Sequence, residues 1–150
     1  MNPMNISDTI VQEIAIRGSA ERIFEALTNP GERVRWWGGE GRFQTTRMES
    51  DLRVGGKWMM PGIGMGGKPF TMGGEYHQNR ATRLLVFTWL PDWQEDASET
   101  IVRFDLEEKE DGVRTVRLTH SDLVSENSRA SHKGWPQILT WLQAYVEQQV

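Results

Sequence analysis

The sequence predicts an α+β fold in which a curved antiparallel sheet of about seven strands wraps around a long C-terminal helix, with two short helices between strands one and two. Three observations support this prediction. Apolar residues alternate with polar ones in segments along most of the chain, loops of hairpin length join these segments, and a helical apolar stripe follows the last of them. The length of 150 residues fits one domain, residues 1–150, which is large enough to fold without disulfide bonds or a structural metal ion.

The first strand and the first helix are marked by a change of period. Residues 10–17 alternate loosely and place their three isoleucines on one face. Residues 19–28 then carry an apolar stripe at helical spacing. Ser19 precedes that stripe and is the expected N-cap of the helix.

A second, short helix follows at once. Asn29 is its expected cap, and Pro30 fits its first turn. The helix is expected to end near Trp36 or Trp37, with Gly38 as a left-handed terminator. Because neighbouring residues on a helix point in different directions, the two indoles are expected to pack in different places.

Six further strands are predicted from alternating apolar residues. Their ranges are residues 43–50, 57–60, 71–78, 84–90, 100–108 and 113–121. The Asp-Gly pair at residues 111–112 predicts a tight hairpin between the last two strands. On the final strand Val116, Leu118 and His120 share one face, so the histidine can point inward.

The C-terminal helix is predicted for residues 133–148, and a looser helical turn can precede it from about Ser125. Its apolar stripe must be buried, and the concave face of the sheet is the available apolar surface. The stripe consists of Trp135, Ile138, Leu139, Leu142, Tyr145 and Val146.

Composition and charge exclude several classes of protein. There is no cysteine, so no disulfide framework, thiolate nucleophile or cysteine-based zinc site is expected, and the cytoplasm is the expected location. No apolar run approaches the roughly 20 residues of a membrane span, and the start lacks the pattern of a signal peptide. The net charge of −4 argues against a nucleic-acid partner.

The sequence predicts no cofactor and no metal site. The segment GIGMGG at residues 62–67 matches G-x-G-x-x-G, but a strand is expected after it, where a dinucleotide site needs a helix. This segment is expected instead to be a hairpin loop. The three histidines, His77, His120 and His132, lack the His-x-x-x-His spacing of a metal site.

Seven short segments, in order over nearly the whole chain, carry a family resemblance. They are IFEALTNP at 23–30, RWWG at 35–38, DLRVGGKW at 51–58, GEY at 74–76, RLLVFTW at 83–89, LTHSDL at 118–123 and HKGWPQIL at 132–139. With them the chain resembles the START-like, or SRPBCC, superfamily of helix-grip (START/Bet v 1-like) folds. Within it the chain is most similar to small bacterial stand-alone members of the branch named after the activator of heat-shock-protein ATPase (Aha1-like). The resemblance implies an internal cavity between the sheet and the long helix. It also implies that one indole of the Trp36–Trp37 pair can plug the end of that cavity and that the 62–67 loop lies beside its opening.

The resemblance leaves the activity open, because this fold serves lipid carriers, hormone receptors, ring cyclases and co-chaperone domains. Our leading hypothesis is binding of a small hydrophobic or aromatic ligand in the internal cavity, without catalysis, by a monomer or homodimer. The candidate ligand-binding residues are Trp36, Trp58, Met60, Tyr76, Phe87, Trp89, Phe104, Leu118, His120, Trp135 and Leu139, with Leu142 beside them.

Two alternative functions stay open. A cavity enzyme that resembles a polyketide cyclase or hydrolase needs polar groups that converge inside the cavity, and His120 with Tyr76 or Glu75 is the candidate set. The other alternative is a co-chaperone-like protein-interaction module, as the name of the family branch suggests.

Overall fold

The computed structural model describes residues 9–39, 42–91, 99–110, 112–121 and 134–148. Within these ranges the chain forms nine strands and three helices. In order they are β1 Ile10–Arg17, α1 Ala20–Thr28, α2 Pro30–Trp36, β2 Gly38–Gly39, β3 Phe43–Thr45, β4 Glu49–Ser50, β5 Lys57–Ile63, a 3₁₀ turn Met65–Gly67, β6 Pro69–Arg80, β7 Leu84–Pro91, β8 Thr100–Glu110, β9 Val113–Ser121 and α3 Trp135–Gln148. The helical turn predicted from about Ser125 lies outside the described residues.

The nine strands form one curled antiparallel sheet. Its order is β1-β9-β8-β7-β6-β5-β3-β2, and β4 pairs separately with β5. The first and last strands of the chain, β1 and β9, pair at one end of the sheet, with Ile10 opposite His120 and Arg17 opposite Val113, whereas β2 lies at the other end. The sheet, the two early helices and the C-terminal helix confirm the predicted α+β helix-grip class.

The additional strands, beyond the seven or so that alternation predicts, are short. β2 contains only two glycines, which carry no alternation signal. The predicted strand at residues 43–50 is two strands, because regular pairing with β5 is interrupted between Thr45 and Glu49. The backbone amide and the hydroxyl of Thr46 both donate to the Pro61 carbonyl, at 3.0 and 3.1 Å. β3 therefore pairs with the end of β5, and β4 pairs with its beginning.

Both early helices begin where capping chemistry predicts. Ser19 Oγ accepts a hydrogen bond from the Arg22 amide at 3.1 Å, and Asn29 Oδ1 accepts one from the Gly31 amide at 2.9 Å. After α2, Gly38 has a φ of +129°, and a Cβ there would lie 2.7 Å from the carbonyl oxygen of Phe43. The turn from the tryptophan pair into β2 therefore requires glycine.

α3 packs its apolar stripe against the rest of the core. The buried members of the stripe are Trp135, Leu139, Leu142 and Val146. Complete burial of such a side chain contributes about 1.5–3 kcal/mol. Two hydrogen bonds of 2.9 Å also fix the helix to β1. In one Gln143 Nε2 donates to the Ala15 carbonyl, and in the other the Arg17 amide donates to the Glu147 carboxylate.

Candidate functional site

The residues that the sequence predicts for ligand binding all lie inside the protein. Each of them has at most 3% of its surface exposed, and they belong to α2, α3 and the strands from β5 to β9. The set is Trp36, Trp58, Met60, Tyr76, Phe87, Trp89, Phe104, Leu118, His120, Trp135 and Leu139. The fold therefore gathers these side chains in one core, and their contact with a ligand stays a prediction.

Tryptophan rings form the centre of this interior. The Trp37 ring centroid lies 5.2 Å from that of Trp36, 6.0 Å from that of Trp89 and 5.7 Å from that of Trp135. Trp58 extends the cluster, with its centroid 5.6 Å from that of Trp89. These separations are those of favourable aromatic pairs. Both indoles of the adjacent Trp36–Trp37 pair are thus core groups.

His120 holds the C-terminal helix to three strands. Its Nδ1 accepts a hydrogen bond from Trp135 Nε1 at 3.0 Å. The ring hydrogen is therefore assigned to Nε2, which donates to Thr100 Oγ1 at 2.7 Å. That hydroxyl donates in turn to the Trp89 carbonyl at 3.2 Å. Both ring nitrogens serve this network, which connects α3, β9, β8 and β7.

The polar groups that the cavity-enzyme hypothesis places beside His120 have other surroundings. The Tyr76 hydroxyl forms a 2.7 Å hydrogen bond with Ser50 Oγ. The Glu75 side chain is 42% exposed, and its carboxylate lies 4.0 Å from His77 Nε2. Glu75 thus lies on the exterior of the sheet, whereas His120 has no exposed surface.

Arg33, which is not among the predicted site residues, is the most deeply buried charged residue of the described structure. It lies on α2, and among the described residues it is the one Arg, Lys, Asp or Glu with no exposed surface. Its Nη1 donates to the Leu27 carbonyl at 3.0 Å, at the end of α1. Its Nε and Nη2 are buried without a hydrogen-bond acceptor. Burial lowers the pKa of the guanidinium to about 10, and nearby Tyr76 opposes the shift, so the group is charged at neutral pH.

Aromatic rings surround that guanidinium. Its Cζ lies 4.3 Å from the ring centroid of Trp37, 5.4 Å from that of Trp58 and 5.5 Å from that of Phe87. Cation–π attraction of a desolvated pair contributes about 2 kcal/mol. Nε1 of Trp37 and Nε1 of Trp58 are also buried without an acceptor. Four buried N–H donors therefore lie on one guanidinium and on two of the rings that it contacts.

An open groove of about 490 Å³ lies beside this interior. Its lining residues come mainly from α2, β2, β3 and the end of β5. Trp37, Phe43 and Ile63 are apolar members of this lining, and Arg35 and Arg42 are charged members. Trp141 of α3 packs edge-to-face on Phe43, with ring centroids 5.7 Å apart. Ile63 and the adjacent Gly64 belong to the 62–67 segment, beside which the sequence predicts an opening. The eleven predicted ligand-binding residues do not line the groove, whereas Trp37 does.

The burial of Arg33 has a signal in the sequence, although Arg33 is not among the residues predicted above. Arg33 precedes Trp36 by three residues and Trp37 by four, so all three lie on neighbouring positions of one helix face. A charged residue on the face that carries two tryptophans is expected to be buried with them. The absence of acceptors around it, however, depends on strand packing and is not visible in the sequence.

The two histidines among the described residues lie on different strands. His77 is exposed on β6, His120 is buried on β9, and His132 lies outside the described residues. In the part of the chain that the structure describes, no group of three or more His, Asp or Glu side chains is positioned to hold a metal ion. Within the same part, no helix is both long and apolar enough to cross a membrane.

Comparison with known proteins gives one family and a set of similar folds. The family described as "Activator of Hsp90 ATPase homolog 1-like protein" matches residues 17–147. The solved AHSA1-like protein of Aeromonas hydrophila is 26% identical, with a TM-score of 0.74, and the match covers 94% of this chain and 93% of that one. A Chromobacterium violaceum protein is 23% identical, with a TM-score of 0.76 and coverage of 93% and 97%. A Nitrosomonas europaea protein is 17% identical, with a TM-score of 0.78 and coverage of 99% and 100%. No curated protein matches the chain.

Proposed function

The chain belongs to the Activator of Hsp90 ATPase homolog 1-like family, and from that premise we propose that it binds a small hydrophobic or aromatic molecule between the sheet and the C-terminal helix, without catalysis. The observation that carries the proposal is an open groove of about 490 Å³ whose wall includes Trp37 and Phe43. No residue of the C-terminal helix lines the groove, but Trp141 of that helix packs directly on Phe43. Ligand sites are typically clefts of about 300–1,000 Å³ with apolar and aromatic walls. Trp37 is the wall residue that the groove shares with the aromatic interior, where its ring packs on Trp36, Trp89 and Trp135.

Binding is favoured over catalysis by the surroundings of His120. A general acid or base needs a free position facing the substrate. Here one ring nitrogen accepts from Trp135 and the other bonds to Thr100. Because both nitrogens of this buried imidazole are hydrogen-bonded within the protein, we assign His120 a structural role. The cytoplasmic location and the monomeric or homodimeric state stay predictions.

A neutral fluorescent probe tests the proposal. N-Phenyl-1-naphthylamine is apolar, carries no charge at neutral pH and fluoresces more strongly in an apolar site. Titration of the protein with this probe is expected to give saturable binding of one equivalent. Ile63→Glu, which places a charge on the wall of the groove, is expected to weaken binding at least fivefold, or about 1 kcal/mol.

Val54→Glu is the matched control for that substitution. Val54 is also an exposed apolar residue, at 66% against 44% for Ile63, and it does not line the groove. The control variant is expected to bind the probe like the unmodified protein. Absence of saturable binding, or an equal loss in both variants, would contradict the proposal.

A further inference from the structure

The four buried donors around Arg33 point to the chemistry of the ligand. We propose that the guanidinium of Arg33 recognises a carboxylate on an apolar body, so that the ligand is a hydrophobic carboxylic acid. This inference rests on the proposed function, because it assigns one polar contact to a ligand that is otherwise held by apolar walls. Arg33 itself does not line the groove, but the ring of Trp37 does, and it lies 4.3 Å from the guanidinium. The indole N–H of Trp37 also has no acceptor and is the additional donor on this side.

The geometry of the free donors favours a carboxylate. Nε and Nη2 lie on the same edge of a planar guanidinium, and the structure leaves both of them without an acceptor while Nη1 is bonded to Leu27. Two parallel N–H groups on one edge match the two oxygens of a carboxylate in a bidentate pair. A neutral carbonyl offers only one oxygen and therefore satisfies this edge less completely.

The charge around the site favours an anion with a single charge. Arg33 forms no ion pair with a carboxylate of the described residues, and its closest surroundings are the rings of Trp37, Trp58 and Phe87. A buried cation of this kind is compensated by one negative charge. A dianion such as a phosphate monoester would leave one charge uncompensated among aromatic rings.

The aromatic surroundings also define the remainder of the ligand. Donors that lie among indole and phenyl rings hold the acid group inside an apolar region, so the body attached to it must itself be apolar. Fatty acids and aromatic acids share this chemistry. Straight-chain and aromatic probes distinguish the two sources.

Paired acids and esters test the inference. The probes are dodecanoate with methyl dodecanoate and 2-naphthoate with methyl 2-naphthoate, each measured by displacement of N-phenyl-1-naphthylamine and by calorimetry. For at least one pair the unmodified protein is expected to bind the acid at least tenfold more tightly than its ester, or about 1.4 kcal/mol. Arg33→Met is expected to bring the acid and the ester within twofold of each other while the ester still binds.

Arg83→Met is the matched control, because Arg83 is an exposed arginine outside the groove, and it is expected to keep the preference for the acid.

Equal binding of acid and ester by the unmodified protein would overturn the carboxylate inference and leave the proposed function standing. A preference that survives in Arg33→Met would overturn the assignment to Arg33. Failure of all four probes and of the naphthylamine to bind would overturn the proposed function and this inference together. The comparison of acid with ester in the unmodified protein decides the first point even if Arg33→Met does not fold.

Discussion

Replacement of Arg33 by methionine is expected to leave the free energy of unfolding nearly unchanged, although Arg33 is completely buried. Loss of one partner from a satisfied buried ion pair typically lowers stability by about 3–5 kcal/mol. Arg33 differs from that case because two of its nitrogens have no acceptor and no described carboxylate pairs with it. Methionine keeps an unbranched apolar stem among the rings of Trp37 and Trp58.

The expected magnitude follows from three contributions. The fall of the Arg33 pKa from its ordinary value to about 10, caused by burial against the opposing effect of Tyr76, corresponds to roughly 3 kcal/mol against the charged form. Since the folded pKa lies below the unfolded one, this penalty is fully present at neutral pH and is relieved only as the pH rises above about 10. Against that relief, methionine loses the hydrogen bond to Leu27, about 1.5 kcal/mol, and a cation–π contact of about 2 kcal/mol. The net change is expected to lie within about 1 kcal/mol of zero.

Urea unfolding followed by far-ultraviolet circular dichroism measures this change without depending on tryptophan emission. Arg83→Met is the control for loss of an exposed arginine and is expected to change the unfolding free energy by less than about 0.5 kcal/mol. A loss above about 3 kcal/mol in Arg33→Met would refute the reasoning, because it would mean that the guanidinium is satisfied by interactions inside the ligand-free protein.

Two further predictions concern the interior. Trp135→Phe is expected to lower the unfolding free energy by about 1–2 kcal/mol more than Trp37→Phe, as measured by urea unfolding. The reason is that the Trp135 indole donates to His120 Nδ1, whereas the Trp37 indole has no acceptor. Equal losses in the two variants would contradict the role of that hydrogen bond. Gly74→Ala is expected to lower the melting temperature strongly, with a loss of about 2–4 kcal/mol, because the new Cβ would lie 1.9 Å from a carbonyl oxygen of β7. Gly64→Ala, whose Cβ would meet nothing closer than 3.6 Å, is the control and is expected to unfold like the unmodified protein.

The architecture was predictable because its strands and helices have strong local signals. The three isoleucines of β1 alternate with exposed residues, as the burial of that strand confirms. Ser19 and Asn29 cap the early helices in the structure as capping chemistry predicts. Signals of this kind depend on neighbouring residues only, so they can be read without knowledge of the fold.

The groove and the donor cluster could not be predicted in the same way. The groove arises where β2, β3 and the end of β5 meet α2, and it depends on a strand register that alternation does not fix. The unpaired donors of Arg33, Trp37 and Trp58 are defined by which acceptors are missing around them. That property belongs to the packed interior and has no counterpart in a short stretch of sequence.

The pairing of β1 with β9 limits how much of the protein can fold while it is being synthesised. β1, with Ile10, Ile14 and Ile16 on one face, leaves the ribosome before its partner strand β9, which ends at Ser121. Until that late hairpin has emerged, the isoleucines have no native strand beside them, and such long-range pairing is slow to form. Nascent chains halted before residue 113 are therefore expected to expose this segment to chaperones and proteases.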